Sequence, residues 1–90
     1  MKRVVIAVFD SAVQTYGQPV FVAGRGAGLR SFLDEVNRVD PSNTLNLHPE
    51  DFELRLLGYF DDERGTFEVP EEGIGTVIAR AKDLVKENGQ

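Results

Sequence analysis

The run Val4-Val5-Ile6-Ala7-Val8-Phe9 constrains this chain more than any other segment. Read as a strand, Arg3 to Phe9 puts Val4, Ile6 and Val8 on one face and Val5, Ala7 and Phe9 on the other. A strand that is apolar on both sides is covered on both sides, so it belongs at the centre of a sheet. The 90 residues leave room for one small domain, residues 1–90, built around it. Pro19 to Ala23 reads as a second strand, β-branched and opened by a proline. The short polar connector between the two strands makes them an antiparallel hairpin.

Gly24-Arg25-Gly26-Ala27-Gly28 interrupts the strand pattern. A helix is expected after it, because Leu29, Phe32, Leu33 and Val36 follow the i, i+3, i+4, i+7 spacing of one buried face. Asp40-Pro41-Ser42-Asn43 closes that helix as a turn. His48-Pro49-Glu50-Asp51 has the proline and early acids of a single helical turn. Phe52 to Phe60 alternates as a half-buried third strand, and the alternation slips at Leu57-Gly58, where a bulge is expected. Asp61 to Gly65 is a turn whose glycine takes positive φ. Thr66 to Val69 pairs back as a fourth strand. A last helix is expected over 73–88, with Ile74, Val77, Ile78, Ala81, Leu84 and Val85 buried and Asn88-Gly89 ending it. The expected fold is therefore α+β: a two-layer ββαββα domain with a four-stranded, mostly antiparallel sheet and two helices.

Composition excludes several function classes. There is no cysteine, hence no disulfide framework, thiolate zinc site or cysteine nucleophile. No apolar run reaches the eighteen or so residues that a membrane span requires. The formal net charge of -5 argues against a strongly basic, non-specific nucleic-acid binder. That charge is unevenly spread. Residues 1–38 carry five basic groups (Lys2, Arg3, Arg25, Arg30, Arg38) against three acids, a balance of +2, whereas residues 39–90 come to -7. Halves of opposite sign imply a polarised surface or a self-complementary one.

Three clusters offer chemistry. The glycine run lies between a strand and a helix, where backbone N–H groups can hold a phosphate with help from Arg25 and Arg30. It lacks the spacing and the lysine or downstream acid of nucleotide fingerprints, and such glycines equally serve to turn the chain and start a helix. His48, Glu50, Asp51 and Glu53 form an oxygen-rich group around the single histidine, but one histidine without cysteine does not make a typical zinc site. The same residues serve to cap the local turn. Nucleophilic catalysis would need a base, and His48 is the only histidine, so no enzyme, catalytic residue, metal or cofactor is expected. Most of the aromatic residues read as core. Tyr16, in a polar connector, is the first expected to be exposed, with Tyr59 near the slipped register a second candidate that reads better as packed with its hydroxyl at the edge; an exposed aromatic near arginines is the chemistry that single-stranded nucleic acid uses.

Several of these segments resemble one family. Val8-Phe9-Asp10-Ser11 is similar to its "VYDSK" strand end, Pro19 to Val22 to its "PFFV" strand, and Gly26 to Phe32 to its "GEAIRSF" helix start. The strongest likeness is His48-Pro49-Glu50-Asp51-Phe52 followed by Leu57 to Phe67, which resembles "HPEDY…LGEFDDETGxF". The family is the small nonstructural protein of the Microviridae, above all their gokushovirus branch, and the likeness covers roughly residues 4–69. Ala27 and Gly28 depart from the family's Glu and Ala. The resemblance implies a phage protein of the host bacterial cytoplasm that binds DNA or assists single-stranded genome synthesis. On that reading Arg25 and Arg30, with Lys2, Arg3 and Arg38, contact phosphates, and Tyr16 stacks on bases. The alternative is an acidic interaction module for replication or capsid proteins, without direct DNA binding. Either form is expected as a homodimer, paired through the terminal helix, with no membrane contact.

Overall fold

The structure, a computed structural model, describes residues 1–86. Two long strands form its centre: β1 (Lys2–Asp10) and β4 (Phe52–Asp61) pair antiparallel along their whole length. Each has one remaining edge, and two short strands share it. On the outer edge of β1 lie β2 (Thr15–Tyr16) and β3 (Val20–Val22); on that of β4 lie β5 (Thr66–Glu68) and β6 (Thr76–Arg80). The sheet is thus six-stranded and antiparallel rather than four-stranded. The helices are α1 (Arg25–Val36) and the single turn α2 (Thr44–Leu47).

The largest departure from the expected order is at the C-terminal end. The helix expected over 73–88 is replaced by β6 and a short 3-10 turn at Ala81–Asp83, so the chain is not ββαββα. Thr76, Val77 and Ile78 are three consecutive β-branched residues, which favour a pleated strand over a helix. Gly73 and Gly75 adopt φ of 103° and 85°, outside any right-handed helix. The free edge of β4 from Glu53 to Leu56 supplies the hydrogen bonds that a helix would have made internally. Ala81 is buried as expected, but Ile74 and Val85 are exposed. The expected Asn88-Gly89 helix end lies outside the described residues.

Other local readings hold. Val5 faces Gly58 while Ile6 faces Leu56, so Leu57 is the extra residue of a bulge at the anticipated place. Gly65 has φ 70° in the hairpin turn. The turn at His48–Asp51 is a 3-10 turn over Pro49–Asp51. Helix α1 begins earlier than expected, because the glycine run lies inside it. Gly28 is buried, and a Cβ there would sit 2.6 Å from Ile6 Cδ1. The missing side chain lets α1 approach β1 closely.

One face of the sheet carries the core. Val4 and Ile6 of β1 and Leu54 and Leu56 of β4 pack against Phe32 and Val36 of α1 and against Ala81. Asn43, only 6% exposed, locks the helical layer. Its Nδ2 donates to the carbonyls of Glu35 and Arg38, and its Oδ1 accepts from the N–H of Leu45. It therefore satisfies orphan groups at the end of α1 and the start of α2 together. Asn43→Ala should cost about 1–3 kcal/mol in urea denaturation, because buried carbonyls lose their donor.

Candidate nucleic-acid interface

Alternation along β1 sends Arg3, Val5, Ala7 and Phe9 to the face opposite α1. Among the described residues no helix lies on that face. Instead it is covered by side chains of its own strands. Phe21 of β3 lies beside Val5, Phe60 of β4 lies beside Arg3, and Phe67 of β5 is paired with Phe60 one strand further out. The three phenylalanine rings form one cluster, with centroids 5.4 Å (Phe21–Phe60), 6.2 Å (Phe21–Phe67) and 4.9 Å (Phe60–Phe67) apart. Phe21 is 45% and Phe67 69% exposed. These rings were expected in the core. A strand apolar on both faces was read as lying between two covering layers, but edge-strand side chains do the covering here, and they are themselves half open to solvent.

A second aromatic station stands at the other end of the face. Tyr16 faces Phe9, with ring centroids 4.8 Å apart, and is 43% exposed as the sequence implied. The Arg55 guanidinium lies 3.8 Å over the Phe9 ring and donates to the Tyr16 hydroxyl at 3.0 Å. Glu53 pairs with both Arg55 and Arg80. Arg55 thus pins the tyrosine ring and is largely engaged in doing so. At the phenylalanine cluster itself opens an apolar groove of about 430 Å³, lined by Pro19, Phe21, Phe67, Val69 and Ile74 among others.

The six residues expected to contact nucleic acid are not gathered in one place. Arg3 and Tyr16 share the open face but stand six residues apart along β1, about 20 Å. Lys2 points to the other side, where its Nζ is 2.8 Å from Glu68. Arg25, in the first turn of α1, reaches the Tyr59 hydroxyl at 2.8 Å and Glu72 at 2.7 Å. Arg38 is held by Glu35 and Asp40 beyond the end of α1. Arg30 is exposed on α1 and has no ion-pair partner among the described residues. The face itself is built from Phe21, Phe60, Phe67 and Arg55, which sequence reading missed. The usable signal was the parity of Arg3 with Val5 and Phe9, together with the phenylalanines on either side of the acidic turn.

The uneven charge resolves as internal complementarity. Lys2–Glu68, Arg3–Asp62 and Arg25–Glu72 each join a cation of the first half to an acid of the second. The Lys2 ammonium is pushed up from its ordinary range by the Glu68 hydrogen bond. The Asp62 carboxyl is held below its range, first by the hydrogen bond from the terminal amine of Met1 and then by Arg3.

His48, Glu50 and Asp51 bring one ligand atom each within 4.8 Å of one another, but His48 and Glu50 are well exposed and Glu53 lies elsewhere, on the open face. No helix among the described residues is long and apolar enough to cross a membrane.

Comparison with known proteins bears on what this face belongs to. The sequence model of the family described as "Phage ORF5 protein" matches residues 3–84. "Protein ORF5" of Chlamydia phage 1, a Microviridae phage, is 36% identical over 74 residues, which span 80% of this chain and 77% of that protein. No solved structure matches. The likeness read from His48–Phe52 and Leu57–Phe67 is therefore borne out, and the chain belongs to the phage ORF5 protein family, a nonstructural protein of the Microviridae.

Proposed function

We propose that this protein binds single-stranded DNA on its open sheet face, as an accessory factor in viral genome replication in the host bacterial cytoplasm. The observation that carries the reading is the exposed phenylalanine cluster, with Arg3 at one end and, at the other, the Tyr16–Phe9 station that Arg55 holds in place. Bases stack on aromatic rings whatever their sequence, and neighbouring cations hold the phosphates. Arg3 and the Ala7 partner of Arg55 are four residues apart on β1, about 13 Å. That span suits a short stretch of extended strand with its bases over Phe21 and Phe67. Duplex DNA, whose bases are stacked on one another, has no use for such rings. The net charge of -5 does not preclude this, because association follows the local field.

The test is anisotropy of a labelled single-stranded oligonucleotide, with the matching duplex alongside, at low and physiological salt. Binding is expected for the single strand and should weaken as salt rises. Phe21→Ser with Phe67→Ser should weaken it by roughly tenfold or more, since each stacked base is worth about 1–3 kcal/mol. Both rings are substantially exposed, so the fold should survive the change. No binding at low salt, where attraction is strongest, overturns the reading.

A second reading is favoured by the groove, whose lining of Pro19, Phe21, Phe67, Val69 and Ile74 carries no basic side chain. An apolar segment of a replication or capsid protein would suit it. In that case the double serine variant loses the protein partner and DNA binding is absent throughout.

A further inference from the structure

We propose that Asp62, Glu68 and Glu72 act as internal stand-ins for DNA phosphates, holding Arg3, Lys2 and Arg25 until a single strand displaces them. The inference rests on the DNA-binding reading above and adds a control to it. Its basis is geometric. Three cations of the first half end in carboxylates of the segment from the β4–β5 hairpin to the β5–β6 connection, at 3.3 Å (Arg3–Asp62), 2.8 Å (Lys2–Glu68) and 2.7 Å (Arg25–Glu72). Arg3 lies beside Phe60, which is paired in turn with Phe67, where bases would stack. Lys2, Arg25, Glu68, Glu71 and Glu72 line one polar hollow on the α1 side of the sheet, at the same end of β1 as Arg3, and Tyr59 lies in it with its hydroxyl hydrogen-bonded to Arg25.

All six side chains are at least 30% exposed. Exposed ion pairs of this kind are individually weak, so a strand that brings several phosphates together can displace them. The exchange preserves charge pairing on the cation and releases the acid to solvent. It also penalises weak ligands, because every phosphate must compete with a tethered carboxylate at high local concentration. Only a strand that also stacks on the rings gains enough to open the clasp.

The test compares three forms of the full chain on a labelled single-stranded oligonucleotide across a salt series. One is the wild type. The second is the clasp variant Asp62→Asn, Glu68→Gln, Glu72→Gln. The third is a charge-matched control, Asp34→Asn, Glu50→Gln, Asp83→Asn, whose acids are exposed and hold none of Lys2, Arg3 and Arg25. Both variants carry the same net charge. The clasp variant should bind at least about threefold tighter than the control at low salt. Its slope of log affinity against log salt should be steeper by about 2, three phosphates each contributing about 0.7 for single strands. The single change Asp62→Asn, followed with a thermal melt, should give a smaller gain in the same direction. Equal gains in the clasp variant and the control would show that net charge alone matters, and would overturn the clasp while leaving DNA binding intact. Absence of binding in all three forms overturns both readings.

Discussion

Leu56→Ala should destabilise the protein by about 3–5 kcal/mol, a large share of what a domain this small possesses. Leu56 is fully buried at the centre of β4. It is paired with Ile6 of β1 on one side and Thr76 of β6 on the other, and it belongs to the cluster that includes Phe32 and Val36 of α1. Truncation therefore opens a cavity walled by three strands and a helix. None of them can collapse inward without breaking the register held by the bulge at Leu57. Denaturation in urea should show the midpoint falling with little change in slope. A loss below about 1 kcal/mol would mean that the helical layer does not pack on β4 as described. Val69→Ala, on an exposed side chain, is the comparison and should change little.

Gly58→Ala should cost about 3 kcal/mol for a different reason, and on the proposed single-strand reading it should also weaken oligonucleotide binding. A Cβ at Gly58 would lie 2.5 Å from the backbone carbonyl oxygen of Glu68. The obstacle is backbone, so no rotamer relieves it, and overpacking of this kind is destabilising. β5 must move off β4, and with it Phe67, which β5 carries beside Phe60. Faster amide exchange at Phe67 and Glu68 than in the wild type should accompany the loss of stability. Gly24→Ala is the control, because a Cβ there meets nothing within 4 Å and the backbone is extended. Equal stability of the two variants would mean that β5 is not fixed against β4.

These two residues also mark how far the sequence could be read. The bulge at Leu57-Gly58 was visible as a break in alternation, but the carbonyl of Glu68 that requires glycine there was not. Closeness between strands is set by the sheet and leaves no local pattern. Phe32 and Val36 were legible as a helix face because spacing along one element reports burial directly. Thr76 to Arg80 reads as helix because Ile74, Val77, Ile78 and Ala81 satisfy helical spacing as well, and the partner that decided for a strand, the free edge of β4, lies twenty or more residues away in sequence.

The candidate site divides in the same way. Sequence alone determined that Val4 to Phe9 is a central strand, that α1 packs one face, that the two halves differ in charge, and that Tyr16 is exposed. It also carried the motifs that place the chain in its family. These follow from alternation, helical spacing and residue type, which act over a few neighbours. Tertiary structure alone decided that no helix among the described residues covers the second face of the sheet, that Phe21, Phe60 and Phe67 meet on it at the Arg3 end, and that Lys2, Arg3 and Arg25 find their counter-charges within the same chain. Each of those outcomes depends on which strands share an edge, and strand pairing is settled by the competition among all available edges at once.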